Sequence, residues 1–378
     1  MRELNFTRIV VVLGCSLLVG AACGSPRATE SSSEASQTHA GTEVPTSPQA
    51  ALPRADYDVH EWGLMRVQSG DQWTAGAVAG QRRPEPMAVD KPVLYFHTLS
   101  SSPIPISNIG VQAIGGTIRE HWPLSSVVTP TPPRISWDNV EIANRACTPG
   151  PLPNIGMFPC NSLGYNESCE SPELAVVRTD DSACVHTSRG DESMLFYRST
   201  NATYSPPVEI ERLSATDLRV RNNGANAMPG AMFRFHRERD GIRIAEGTVP
   251  SPGQSSILGS AYFDASRARL RIRETLVTMG LTASEADAFV RAWDSAFFET
   301  RATDRIVAVD ELTDRRGAHD GIVATDDIAV DRPIAPPPID TVLYFLPTAD
   351  IENISALSFS PAPRRIVRVM AVWAAFAN

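Results

Sequence analysis

The chain has 378 residues, a formal net charge of −9, 42% hydrophobic and 20% charged residues, 30 prolines, 24 glycines and six cysteines. That composition fits a soluble globular protein of one large or two ordinary domains with long irregular connections. The acidic balance excludes nucleic acid as a partner, because a polyanion needs a basic face and no stretch concentrates the arginines, while Lys91 is the only lysine.

The N-terminus reads as an export signal. Arg2 and Arg8 precede an apolar run over residues 9–22, broken only by Gly14, Cys15, Ser16 and Gly20. The run is shorter than the roughly 20 residues a membrane-crossing helix needs, so it fits a cleaved signal better than an anchor. Small residues then precede Cys23, as in a bacterial lipoprotein signal, which makes 1–22 the expected signal peptide and Cys23 the expected lipidated residue. Gly20 stands where that pattern prefers leucine, so cleavage after Ala21 or Ala22 without lipid is the alternative. Residues 23–55 are rich in Ser, Thr, Ala and Pro with few large apolar side chains, and are expected to form a disordered tether. The expected location is the bacterial cell envelope, outer-membrane-anchored or periplasmic. The membrane would be met through the N-terminal lipid.

The body, 56–378, is expected to be mainly β, a sandwich or packed antiparallel sheets with one docked helical hairpin. Short segments rich in Val, Ile, Tyr and Phe, bounded by Gly, Pro, Asn or Ser, predict strands at 57–67, 92–97, 109–114, 117–122, 174–178, 193–197, 207–213, 218–222, 231–236, 241–247, 341–346 and 366–374. The string Val-Leu-Tyr-Phe occurs twice, at 93–96 and 342–345. It marks either a duplicated β unit or the reuse of good core-strand residues.

Residues 137–190 read as a loop region carrying Cys147, Cys160, Cys169 and Cys184. Four cysteines in an exported chain predict two disulfides, with successive loops closed by Cys147–Cys160 and Cys169–Cys184 as the expected pairing. A zinc site there is disfavoured, since no C-x-x-C pair occurs and His186 is the only nearby imidazole.

Residues 265–299 predict the helical hairpin. The first helix stops at Gly280, and Thr282-Ala283-Ser284-Glu285 forms a capping box that opens the second. Ala286, Phe289, Val290, Trp293 and Phe297 fall on one stripe, read as core. Residues 300–340 hold many carboxylates but no EF-hand spacing, and read as a solvated insertion.

The most unusual string is Asp58-Val59-His60-Glu61-Trp62-Gly63-Leu64. With Lys91–Phe96, Arg119-Glu120-His121-Trp122-Pro123, Leu195–Arg198, the helix pair and Tyr344-Phe345-Leu346-Pro347, it resembles a group of uncharacterised bacterial exported proteins marked by a His-Glu-Trp-Gly-Thr-Phe string. The resemblance spans most of 57–373. Leu64-Met65 replaces Thr-Phe, and 137–190 and 300–340 look like extra material. The resemblance implies a shared fold and supplies no mechanism.

His60-Glu61 does not make a zincin, because Leu64 stands where the second histidine is required. On a strand, His60 and Glu61 also point to opposite faces. Gly-x-Ser-x-Gly, Ser-x-x-Lys, P-loop and dinucleotide motifs are absent, which removes the commonest hydrolase and nucleotide-binding signatures. Two readings remain. The first is a binding or structural envelope protein without a cofactor, whose partner is an envelope protein or small ligand. The second is a metal-dependent hydrolase with zinc on His60, His97 and His121, His236 being a further candidate, and Glu61 or Glu120 as base.

Overall fold

The computed structural model describes residues 54–69, 87–150, 173–201, 203–214, 216–238, 241–259, 261–298 and 340–376. The expected signal peptide, Cys23, nearly all the tether, Cys160, Cys169 and all but the end of the acidic stretch lie outside them. Mainly β, it has strands β1 (Ala55–Ser69), β2 (Met87–His97), β3 (Ile104–Ala113), β4 (Gly116–Trp122), β5 (Val127–Pro130), β6 (Pro133–Ala143), β7 (Cys184–Thr187), β8 (Gly190–Glu192) and β9 (Leu195–Asn201). After these come β10 (Val208–Arg212), β11 (Leu218–Asn222), β12 (Met232–Glu238), β13 (Gly241–Gly247), β14 (Ser255–Leu258), β15 (Tyr262–Phe263), β16 (Asp340–Leu346), β17 (Ser355–Ser360) and β18 (Pro363–Phe376). The helices are α1 (Glu173–Val177), α2 (Ala265–Thr278), α3 (Ala283–Phe298) and α4 (Thr348–Glu352). Among the described residues no helix is long and apolar enough to cross a membrane.

A nine-stranded sheet, ordered β15-β13-β12-β16-β18-β1-β2-β9-β4, forms the middle layer. Strand β1 runs parallel to β18 and antiparallel to β2. Because side chains alternate along a strand, β1 serves two cores. Trp62 and Leu64 join Tyr95, Phe235 and Phe345 under the helices, with Phe289, Trp293 and Phe297 of α3. The stripe read from the sequence is therefore core, each large side chain contributing about 1.5–3 kcal/mol by burial. On the opposite face, Tyr57 and Val59 pack against Ile109, Trp137 and Ile142 of a six-stranded sheet, β17-β3-β6-β7-β8 with β5 on β6. Further along that face, Met65 and Val67 pack against Val208, Val220 and Leu258 of a three-stranded sheet, β10-β11-β14.

The two Val-Leu-Tyr-Phe strings lie in this same sheet, turned over relative to each other. Val93 and Tyr95 face the helices, whereas in the second copy Leu343 and Phe345 do so and Tyr344 faces away. Equivalent repeats would keep the same face inward, so the shared string is reuse of core-strand residues.

Three expectations are corrected. The expected strand at 174–178 is instead the helix Glu173–Val177: Leu174 and Val177, one helical turn apart, both bury against the α2–α3 core. The 137–190 region contains sheet as well as loop, since β6 extends into it and pairs with β7. The disulfide there is Cys147–Cys184, with Cα atoms 4.7 Å apart, in place of Cys147–Cys160 and Cys169–Cys184. The pairing of Ala143 with Cys184 returns the chain beside the end of β6, where Cys147 follows.

Candidate functional site

His60 lies on β1 opposite Tyr95, and His97, at the end of β2, lies opposite Asp58. Both imidazoles therefore project from the helix-covered face as diagonal neighbours, with ring centroids 4.5 Å apart. The first turn of α3 supplies the third group. Thr282 caps the helix by accepting from the Glu285 N–H at 3.2 Å, and the Glu285 carboxylate reaches back to accept from the Thr282 N–H at 2.7 Å.

That carboxylate also meets both histidines. Its Oε2 is 2.9 Å from His60 Nδ1, and its Oε1 is 2.8 Å from His97 Nε2. An ionised carboxylate can only accept, so each of these ring nitrogens carries the donated proton. Burial pushes the Glu285 acid upward, but the hydrogen bonds and charges of His60 and His97 outweigh it and hold its pKa at about 2. Burial works to lower His97, yet the hydrogen bond and charge of Glu285 prevail and raise it. Glu285 is fully buried, while the His97 side chain is 20% exposed and gives the cluster its side toward water.

One ligand atom from each of His60, His97 and Glu285 lies within 4.8 Å of the others. Bonds of about 2.1 Å at tetrahedral angles separate donors by about 3.4 Å, so a zinc-sized ion would fit between them after small adjustments. Two imidazoles and a carboxylate suit zinc and its first-row neighbours.

The sequence-predicted set is thus brought together only in part. His121 lies opposite Tyr197, on the other face of the sheet, where it meets Ser125 Oγ at 3.1 Å and the edge of Trp137. Burial lowers its pKa to about 4, which keeps it a neutral core residue. The three histidines, on β1, β2 and β4, cannot converge when one faces the opposite layer.

Glu61 likewise points away from His60, as strand alternation requires. Its carboxylate accepts from Arg368 Nε at 2.6 Å and Tyr197 OH at 2.7 Å, while Arg368 also donates to the Ser355 carbonyl and hydroxyl. Glu120 pairs with Arg198 at 3.2 Å on the outer strands. Neither carboxylate is placed to serve as base at His60 and His97. His236 hydrogen-bonds Asp340 at 2.9 Å beside Arg234, in a separate network on β12 and β16.

Glu285 is the residue the sequence reading placed without recognising its second role. The available signal was its position: a capping-box acid at the foot of a buried stripe uses one oxygen for the cap and has another to spend. No protein-family model matches this chain, and no curated protein matches it significantly.

Proposed function

We propose that this chain is an exported envelope protein, tethered through a lipid on Cys23, whose β body binds one divalent transition-metal ion, zinc or a close neighbour, at His60, His97 and Glu285. The observation that carries this reading is the meeting of two imidazoles and a carboxylate, from two strands and a helix, within 4.8 Å. Three protein ligands leave a tetrahedral ion one position for water, on the side where His97 reaches solvent. A metal-dependent hydrolase is the narrower form of the proposal, with a metal-bound hydroxide as nucleophile in place of a base at Glu61 or Glu120.

Cobalt titration of the metal-free mature chain tests it. Visible absorption of a four-coordinate cobalt site should rise to one equivalent, and be lost in His60→Ala and His97→Ala. A second reading rests on the hydrogen bonds themselves: both Glu285 oxygens are already satisfied by His60, His97 and Thr282, as in a pin that fastens the helical hairpin to the sheet. That reading predicts no cobalt spectrum and a loss of stability alone.

A further inference from the structure

His60 is oriented by more than Glu285. Its Nδ1 faces the carboxylate, while its Nε2 lies 3.5 Å from a terminal nitrogen of Arg365. The same Arg365 nitrogen is 3.2 Å from Asp58 Oδ2, so one guanidinium nitrogen lies between the Asp58 carboxylate and the His60 ring. Asp58 precedes His60 by two residues and shares its face of β1. It is held independently by Arg364, whose Nε and terminal nitrogen donate to its two oxygens at 3.0 and 3.1 Å.

A metal on His60 would take the Nδ1 lone pair and leave the ring proton on Nε2. That tautomer cannot accept from Arg365, because both groups would then be donors. Metal-ligating histidines commonly give their second N–H to a carboxylate, which fixes the ring and raises its basicity. Asp58 is the carboxylate that shares an Arg365 nitrogen with Nε2. The Arg365 side chain is 58% exposed and can turn into water, and Arg364 would still compensate Asp58.

Building on the metal reading above, we propose that Asp58 and Arg365 set the affinity of the centre. Asp58 is the positioning residue that accepts the Nε2–H of metal-bound His60, and Arg365 is the cation displaced on loading. Removing Arg365 takes away a competing donor and a positive charge near the ion. Removing the Asp58 carboxylate leaves the buried Nε2–H with a weaker acceptor or none.

The test is zinc titration by calorimetry on the full mature chain, comparing wild type, Arg365→Met, Asp58→Asn and His60→Ala. Nitrogen-15 spectra of the imidazoles would be recorded before and after loading. Asp58→Asn should weaken binding about 10- to 100-fold. Arg365→Met should tighten it several-fold, and the His60 proton should move from Nδ1 to Nε2 on loading. The tautomer shift reports ligation through Nδ1, whereas a merely structural role for either residue would not strengthen binding in Arg365→Met. If wild type binds zinc but neither variant changes affinity, or Arg365→Met binds more weakly, this inference is overturned and the metal reading stands. No zinc binding by folded wild type overturns both.

Discussion

Glu285 and His60, 225 residues apart in sequence, meet at 2.9 Å beneath the first turn of α3. Glu285 thereby closes a helix cap and ties that helix to the central sheet. Since the carboxylate is fully buried, its charge is held only by the groups around it. Glu285→Gln would turn amide hydrogens toward donors at His60, His97 and Thr282. The expected cost is about 2–3 kcal/mol in the metal-free protein, measured by urea unfolding, together with loss of metal. Thr282→Ala, which removes only the hydroxyl that accepts from the Glu285 N–H, should cost about 1 kcal/mol and leave metal stoichiometry unchanged.

The opposite face of β1 should behave independently. Arg368→Met would leave the Glu61 carboxylate buried with Tyr197 OH but without its cation. A loss of about 3–5 kcal/mol is expected, because breaking one half of a buried pair strands the other charge. The metal content of the folded fraction should be the same as in wild type, as read by elemental analysis.

His121 makes an acid-side prediction. Its folded pKa, about 4, lies below the ordinary value of 6.5, so the unfolded chain takes up a proton that the fold refuses. The stabilising contribution of neutral His121 is fully present above pH 6.5 and is lost as pH falls toward 4. The loss is about 3 kcal/mol across that window. His121→Gln should remove this component of the slope when denaturant midpoints of the two proteins are compared at pH 7 and pH 4.5.

The Cys147–Cys184 bridge joins the end of β6 to the start of β7 across a sequence separation of 37. Loop-closure entropy assigns it about 4 kcal/mol in the chain-entropy model. Peptide mapping without reduction should recover the 147–184 pair, and Cys147→Ser should lower the unfolding midpoint. Recovery of a Cys147–Cys160 peptide instead would contradict the arrangement of β6 and β7.

Local pattern was enough for much of the architecture. The alternation in Tyr57–Val67 places His60 with Trp62 and Glu61 opposite them, and the structure has that arrangement. The 3.6-residue stripe and capping box likewise mark the hairpin that covers the sheet. What local pattern does not carry is strand order. His97 and His121 both lie on predicted strands, yet only the first shares a face with His60, because pairing registers set by distant segments decide the face. The disulfide was missed for the same reason: loop length favoured neighbours, while the pairing of β6 with β7 placed Cys184 beside Cys147. At Glu173–Val177, a segment whose Val176 and Val177 favour a strand forms a helical turn because tertiary burial against α3 overrides a weak propensity.

If His60, His97 and Glu285 form one metal centre, the ion should travel with the purified chain. The most direct measurement is plasma mass spectrometry of the untagged mature chain, purified from an oxidising periplasm and dialysed against metal-free buffer. Wild type should carry about one equivalent of zinc or a neighbouring transition metal, lost in a folded His60→Ala/His97→Ala double variant. Folded wild type that retains no metal, even after incubation with zinc, would contradict a metal centre there, as would a double variant that keeps the full equivalent.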